Sequence, residues 1–181
     1  MGNEKFLTPN STFLIEKGEG LNFMAKDTII NDLGEEVNLN EGMQVVAFKL
    51  RDEEYGVNIF QVQEIRNLVD ITRVPFAASY IKGVINLRGS VLPVIDLKSR
   101  LGLEQMPYTE NTRIVTVMVG DLPVGMLVDA VTEVLTIRTK LVDTKKAINE
   151  KDISKFLSGI GNIDGRLVIM LNLEEIVGVS G

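Results

Sequence analysis

The chain has 181 residues, 45% of them hydrophobic and 24% charged, with a net charge of -6 and no Cys or Trp. His is absent too. That is globular composition, long enough to bury a core, and it excludes disulfides, thiolate or imidazole metal sites and every nucleophilic triad built on His.

Residues 1–42 differ from the rest, with six Asn, and with seven acidic residues up to Asn40 against Lys5, Lys17 and Lys26. Two apolar patches, Phe13–Ile15 and Leu21–Met24, flank Gly18-Glu19-Gly20, which would suit a small hairpin. The composition otherwise reads as a flexible acidic leader, to which no function is assigned. The first residues lack the basic start and apolar run of a secretory signal. No run of about 20 apolar residues exists to span a bilayer. A cytoplasmic protein without membrane insertion is therefore expected.

From Met43 onward the pattern becomes that of short strands. Val45–Leu50 and Tyr55–Ile59 flank the charged turn Arg51–Glu54. Val84–Leu87 and Val91–Leu97 flank Arg88-Gly89-Ser90. Pro93 removes a ladder donor, so its strand is expected to be an edge or to carry a bulge. Ile114–Val119 and Val124–Val128 flank Gly120–Pro123, and Arg166–Leu173 reads as a further strand. Helical periodicity is confined to Leu97–Leu101, Glu150–Leu157 and Leu173–Val177. The class is all-β with short elements.

The strands recur in order. Gly56 aligns with Gly125, which lays Tyr55–Ile65 over Val124–Val134 and so Val62 over Val131. Gly83 aligns with Gly159, which lays Asn86 and Gly89 over Asn162 and Gly165. The separations, 69 and 76 residues, leave seven extra residues in the second copy, around Val142–Ser154. Each copy suits a small closed barrel, which leaves no free sheet edges. The expected division is a first barrel over about 43–110 and a second over about 111–177. Two adjoining barrels leave a groove, and domain junctions favour binding.

The remaining motifs carry no chemistry. Gly159–Gly165 is one residue too long for a dinucleotide loop and precedes a strand. The pairs Glu53-Glu54 and Glu174-Glu175 sit at a turn and near the chain end, where solvation is the expectation. No catalytic residue, cofactor or metal is expected. Arg88 is the informative position, a guanidinium at a strand turn between two apolar runs. Alternation puts Val62 and Glu64 on one strand face, and a neighbouring Glu64 would fix the Arg88 rotamer.

Residues 43–177 closely resemble the CheW family of bacterial chemotaxis coupling proteins. The resemblance rests on Asp52–Val57, Val62-Gln63-Glu64-Ile65-Arg66, Ile81–Gly89 and Pro93–Leu97, and in the second half on Val124–Val131 and Leu157–Gly161. It implies one CheW-like domain of two intertwined, SH3-like, five-stranded barrels without enzyme activity. The groove between them would take the cytoplasmic hairpin tip of a methyl-accepting chemoreceptor, and a barrel would dock on the regulatory domain of the histidine kinase CheA. Val62, Glu64, Arg88, Val131 and Val134 would belong to that receptor-facing groove. Ile71 would lie near the kinase contact, and Ile148 near a contact that closes rings. The same fold occurs in CheA and in CheV adaptors, but a chain of this length favours a stand-alone coupler, cytoplasmic and recruited to membrane-associated receptor arrays. The leader lies outside the resemblance.

Two rivals remain. A tandem-barrel nucleic-acid-binding module predicts a basic face with exposed aromatics, yet acidic residues number 25 against 19 basic, with aromatics at 6%. A carboxylate enzyme predicts paired acids in a concave site, and the sequence sets none there.

Overall fold

The computed structural model describes residues 42–137, 151–163 and 165–179, together with five short backbone strands in the segment before residue 42. Those strands are β1 (Lys5–Phe6), β2 (Leu14–Lys17), β3 (Gly20–Phe23), β4 (Thr28–Ile30) and β5 (Glu36–Asn38). Then follow β6 (Met43–Leu50), β7 (Glu53–Asn58), a 3-10 turn at Ile59–Gln61, and β8 (Val62–Asn67). The first copy ends with β9 (Ile81–Leu87), β10 (Ser90–Asp96) and the short helix α1 (Leu97–Leu101). The second copy comprises β11 (Arg113–Val119), β12 (Leu122–Val128), β13 (Ala130–Ile137), α2 (Lys151–Ser154), β14 (Leu157–Ile163), β15 (Arg166–Leu171) and α3 (Leu173–Val177).

The two copies repeat one another in local chemistry. The Asn86 side chain accepts a hydrogen bond from Gly89 N at 2.9 Å, and Asn162 accepts from Gly165 N at 3.0 Å. α1 is capped by the Asp96 side chain and α3 by Asn172, and each ends on a left-handed glycine, Gly102 or Gly178. These are the cap residues that satisfy orphaned helix-end groups. Gly56 and Gly125 sit in the second strand of each copy. A Cβ on Gly56 would stand 3.0 Å from Val168, and one on Gly125 would stand 3.1 Å from Ile114.

The sheets exchange strands between the copies. One contains the order β8-β11-β12-β10-β9, extended beyond β8 by β3, β2 and β1, and the other is ordered β13-β6-β7-β15-β14. Leaving the leader strands aside, each sheet takes the opening hairpin of one copy and the last three strands of the other. This corrects the expected division near residue 110: the second barrel is built from 43–58 and 130–171, the first from 62–128. The crossing occurs at Ile59–Gln61, capped by Asn58, whose side chain accepts from Phe60 N at 3.0 Å. Neither copy completes a sheet alone, and the two barrels form one intertwined unit.

Pro93 is accommodated within an inner strand. Val84, its partner in β9, turns its own N–H and C=O to Thr72, so Pro93 N points away from β9. On the other side β12 pairs only from Val94 onward, and a bulge follows between Val94 and Ile95. No ladder bond is lost.

Three apolar clusters fill the fold. Ile85, Leu92, Val94, Ile114 and Leu127 belong to the first sheet, and Val45, Ala47, Leu135, Ile137, Val168 and Met170 to the second. The third draws from both, with Val46, Phe48 and Val57 meeting Val115, Val117 and Met126. β6 feeds two clusters from its two faces, so its apolar run barely alternates. In the leader, β2 and β3 pair as a hairpin, and β3 pairs antiparallel with β8, Asn22 opposite Glu64.

Candidate functional site

The site begins with an irregularity in β8. Glu64 pairs with Thr116 and Val62 with Val117, the register shifting between them. Thr116 and Val117 are successive strand residues and face opposite ways. Val62 and Glu64 therefore face opposite ways too, which corrects the expectation that they share a face. The bulge has used up the residue Gln63. Val62 and Ile65 enter the shared core, and Glu64 turns to the other side.

There Glu64 meets Arg88. Its carboxylate is 5% exposed, with Oε2 2.9 Å from Arg88 Nη2. Arg66 Nη1 stands 3.8 Å from Oε1. The guanidinium of Arg88 is 68% exposed. Its backbone is fixed as well, since Arg88 (φ 51) and Gly89 (φ 87) are both left-handed. Two such residues in a two-residue turn match the strand twist of a tight hairpin. A buried carboxylate needs a cationic partner. It thus holds one edge of Arg88 and leaves the remaining donors facing solvent. The sequence expectation that Glu64 would fix Arg88 is met in geometry.

The second copy carries a related pair with a different outcome. β13 has the same register shift, between Val131 and Glu133. Glu133 Oε1 lies 2.6 Å from Arg166 Nη1, while Arg166 Nη2 lies 2.6 Å from Glu54 Oε1. The Thr132 hydroxyl stands 2.9 Å from the same Glu54 oxygen. Hydrogen bonding to Glu54, then to Glu133, pushes Arg166 above its ordinary range. Both ends of this guanidinium are occupied within the fold, whereas Arg88 keeps free donors. Glu54, which the sequence assigned to solvent, is part of this crosslink.

The other expected residues separate by burial. Val62 and Val134 are buried in the shared core, and the half-buried Val131 packs against it. The seam between the barrels is thus packed at Val62 and Val134, not open there as a groove. A charge introduced at Val62 would therefore fall in the core rather than in an open receptor-facing groove. Ile71 packs on the first barrel's own cluster. Ile148 lies outside the described residues. Sequence reasoning passed over Val91, which is exposed and pairs with Asn86 beside the Arg88 turn. Its place in an apolar run gave no sign of exposure.

Among the described residues no group of three or more acidic side chains could hold a metal ion. No helix among them is long and apolar enough to cross a membrane.

Comparison with known proteins agrees with this architecture. The family model described as CheW-like domain matches residues 44–180. A probable chemotaxis protein CheW of Rhizobium etli is 39% identical over 140 residues, 77% of this chain and 90% of that protein. The chemotaxis protein CheW of Bacillus subtilis is 32% identical over 139 residues, 77% of this chain and 89% of its own length. The crystal structure of the scaffolding protein TtCheW from Thermoanaerobacter tengcongensis superposes with a TM-score of 0.71 at 34% identity, covering 77% of this chain and 95% of that one. With its exchanged barrels, doubled Asn–Gly turns and a match over residues 44–180, the chain belongs to the CheW-like domain family.

Proposed function

We propose that this chain is a non-enzymatic adaptor that couples chemoreceptors to the histidine kinase CheA in bacterial chemotaxis signalling arrays. The observation that carries it is the Glu64–Arg88 pair at 2.9 Å, a buried acid presenting an exposed guanidinium on a fixed turn. Relatives named as chemotaxis and scaffolding proteins support the same reading. Arg88 and Val131 would face the helical hairpin tip of a receptor, with Val62 and Val134 as the packed floor and Glu64 as the positioning residue. The segment around Ile71 would serve the kinase's regulatory domain, and Ile148 a ring-closing contact. The protein would work in the cytoplasm, recruited to membrane-associated arrays. Individual contacts of this kind are modest, and array multivalency raises the effective affinity.

Binding of a receptor-tip fragment to wild type and Arg88→Ala, each with its melting temperature, tests this. An affinity loss of about tenfold or more with melting nearly unchanged is expected. Equal affinity would overturn the assignment of Arg88.

A further inference from the structure

β8 is the strand at which the first barrel's own sheet order stops. Its outer edge presents N–H and C=O groups that another strand can take up. At the far end of that order the outer edge of β9 takes Thr72, whose N donates to Val84 O at 2.9 Å and whose O accepts from Val84 N at 2.8 Å. The outer edge of β8 takes the leader strand β3, with Gly20 opposite Arg66, Leu21 opposite Ile65 and Asn22 opposite Glu64.

The repeat supplies a comparison. The 69-residue separation that lays Gly56 over Gly125 also lays Glu64 over Glu133, and each carboxylate follows a register shift. β13 ends its sheet, with no strand beyond it among the described residues. There the Glu133 side chain is 30% exposed, whereas Glu64, beside β3, is 5% exposed. Of two equivalent edges, the covered one is the edge whose carboxylate holds Arg88. The cover is a light one: three register pairs join β3 to β8 and four join it to β2. A lone hairpin is marginal in water, so these strands depend on β8 and belong to the part of the fold that opens first. The leader up to Asn40 carries seven acidic residues against three Lys. Arg66 lies on the covered edge, and Arg88 is ion-paired to it through Glu64, so charge favours the closed arrangement.

We infer that the β2–β3 hairpin of the leader is an intramolecular strap, which adds to the free edge of β8, covers the Glu64–Arg88 surface and is displaced when a receptor tip binds there. The displacing partner rests on the adaptor reading. Neighbouring strands stand about 4.8 Å apart, and a helix with its side chains is about 10 Å across. A helix set down on Glu64 and Arg88 therefore meets β3 first. The strap is held by main-chain pairing, and it leaves without either barrel losing a strand of its own. The apparent receptor affinity is then the intrinsic affinity reduced by the fraction of molecules with the strap open.

The test uses the full chain with Leu21→Pro/Asn22→Pro in β3. Successive strand residues turn their N–H groups to opposite edges, so the two prolines remove donors on both sides of β3. Thr28→Pro/Ile29→Pro in β4, which pairs with β5, is the control for disturbance of the leader elsewhere. The probes are a receptor-tip fragment and the isolated CheA regulatory domain, with amide exchange, melting and sedimentation of each protein. The β3 variant should melt close to wild type, exchange faster at the β8 amides that face β3, and bind the receptor tip about threefold to tenfold more tightly. Its affinity for the regulatory domain should be unchanged, and the β4 variant should match wild type throughout. Receptor tip added to wild type should speed exchange at Leu21 and Asn22. Equal or weaker receptor-tip binding by the β3 variant, or an equal gain in the β4 variant, would overturn the inference. So would a wild-type dimer that becomes a monomer in the β3 variant, since the strand would then come from a second copy. Faster β8 exchange in the β3 variant with no receptor-tip binding by any of the three proteins would instead remove the adaptor reading, and the displacement with it.

Discussion

Arg100 in α1 of the first copy closes the end of α3 in the second: its Nε donates to Ile176 O at 2.8 Å and its Nη2 to Glu175 O at 2.9 Å. The guanidinium is held between the rings of Tyr80, at 4.0 Å, and Phe156, at 4.8 Å. One planar cation thus satisfies orphaned helix carbonyls and joins the two barrels at their related helices. Arg100→Ala should lower unfolding free energy by about 2–4 kcal/mol, combining lost charge-assisted hydrogen bonds with lost packing. Arg100→Lys should recover less than half, since an ammonium can neither fork across two carbonyls nor stack between rings. Urea unfolding of both variants measures this, and full rescue by Lys would refute it.

Gly83 and Gly89 separate close approach from backbone preference. Gly83 has φ +151, and a Cβ there would lie 2.1 Å from Thr72 O. Gly89 has φ +87 with nothing within 4 Å of its Cβ position. Gly89→Ala should cost about 1 kcal/mol, the left-handed penalty alone. Gly83→Ala should cost about 3 kcal/mol or more, because the Thr72 bridge to β9 must break. Equal costs in chemical denaturation, or retained slow exchange of the Thr72 amide in Gly83→Ala, would contradict the stated cause.

Val62 and Val131 are matched by the repeat but differ in burial. Val62→Asp would put a carboxylate in the shared core, with a loss of several kcal/mol and unfolding near ambient temperature. Val131→Asp, at a half-buried position, should cost about 1–2 kcal/mol and leave a folded protein with weakened receptor-tip binding. Circular dichroism melts paired with binding measurements check both. A folded, stable Val62→Asp would show that the seam is looser than its packing indicates.

Alkaline pH probes the second barrel. Tyr55 donates its hydroxyl to Glu53 at 2.9 Å. Burial first, then that hydrogen bond and the charge of Glu53, push its ionisation above the ordinary range. The folded state then binds its proton more tightly than the unfolded state does. The resulting stabilisation is complete below the unfolded value of about 10 and is lost as pH rises above it. The stability of wild type should fall above pH ~10 more steeply than that of Tyr55→Phe. Parallel stability profiles for the two proteins would contradict this.

How far the sequence could be read follows from the range of the interactions. Hairpins closed by local turns, such as β6–β7, β9–β10 and β11–β12, were legible from alternation and turn residues. So was α1, where an Asp cap and a terminal glycine bracket Leu97–Leu101. The repeat was legible because Asn86–Gly89 and Asn162–Gly165 close the same turn with the same side-chain bond. The strand exchange was not legible in the residues themselves, because nothing local says whether β8 pairs with β6 or β11; intertwined barrels were implied by the family resemblance alone. Nor was the bulge at Gln63, which leaves the letters alternating while turning Val62 from Glu64. Glu54 looked solvated because its partner, Arg166, is 112 residues away. The Glu64–Arg88 contact was expected only on the condition that β8 neighbour the Arg88 turn; β8 and β9 are not paired and stand at opposite ends of the order β8-β11-β12-β10-β9, yet the ion pair joins them.

The adaptor account is tested most directly by asking whether this chain bridges two proteins that do not otherwise meet. Receptor-tip fragments attached to beads would be mixed with the CheA regulatory domain, with and without the chain, and the bead-bound kinase domain quantified. The domain should be retained only when the chain is present, and retention should fall sharply with Arg88→Ala. Retention that is independent of the chain, or unchanged by Arg88→Ala, would contradict coupling through the Glu64–Arg88 surface.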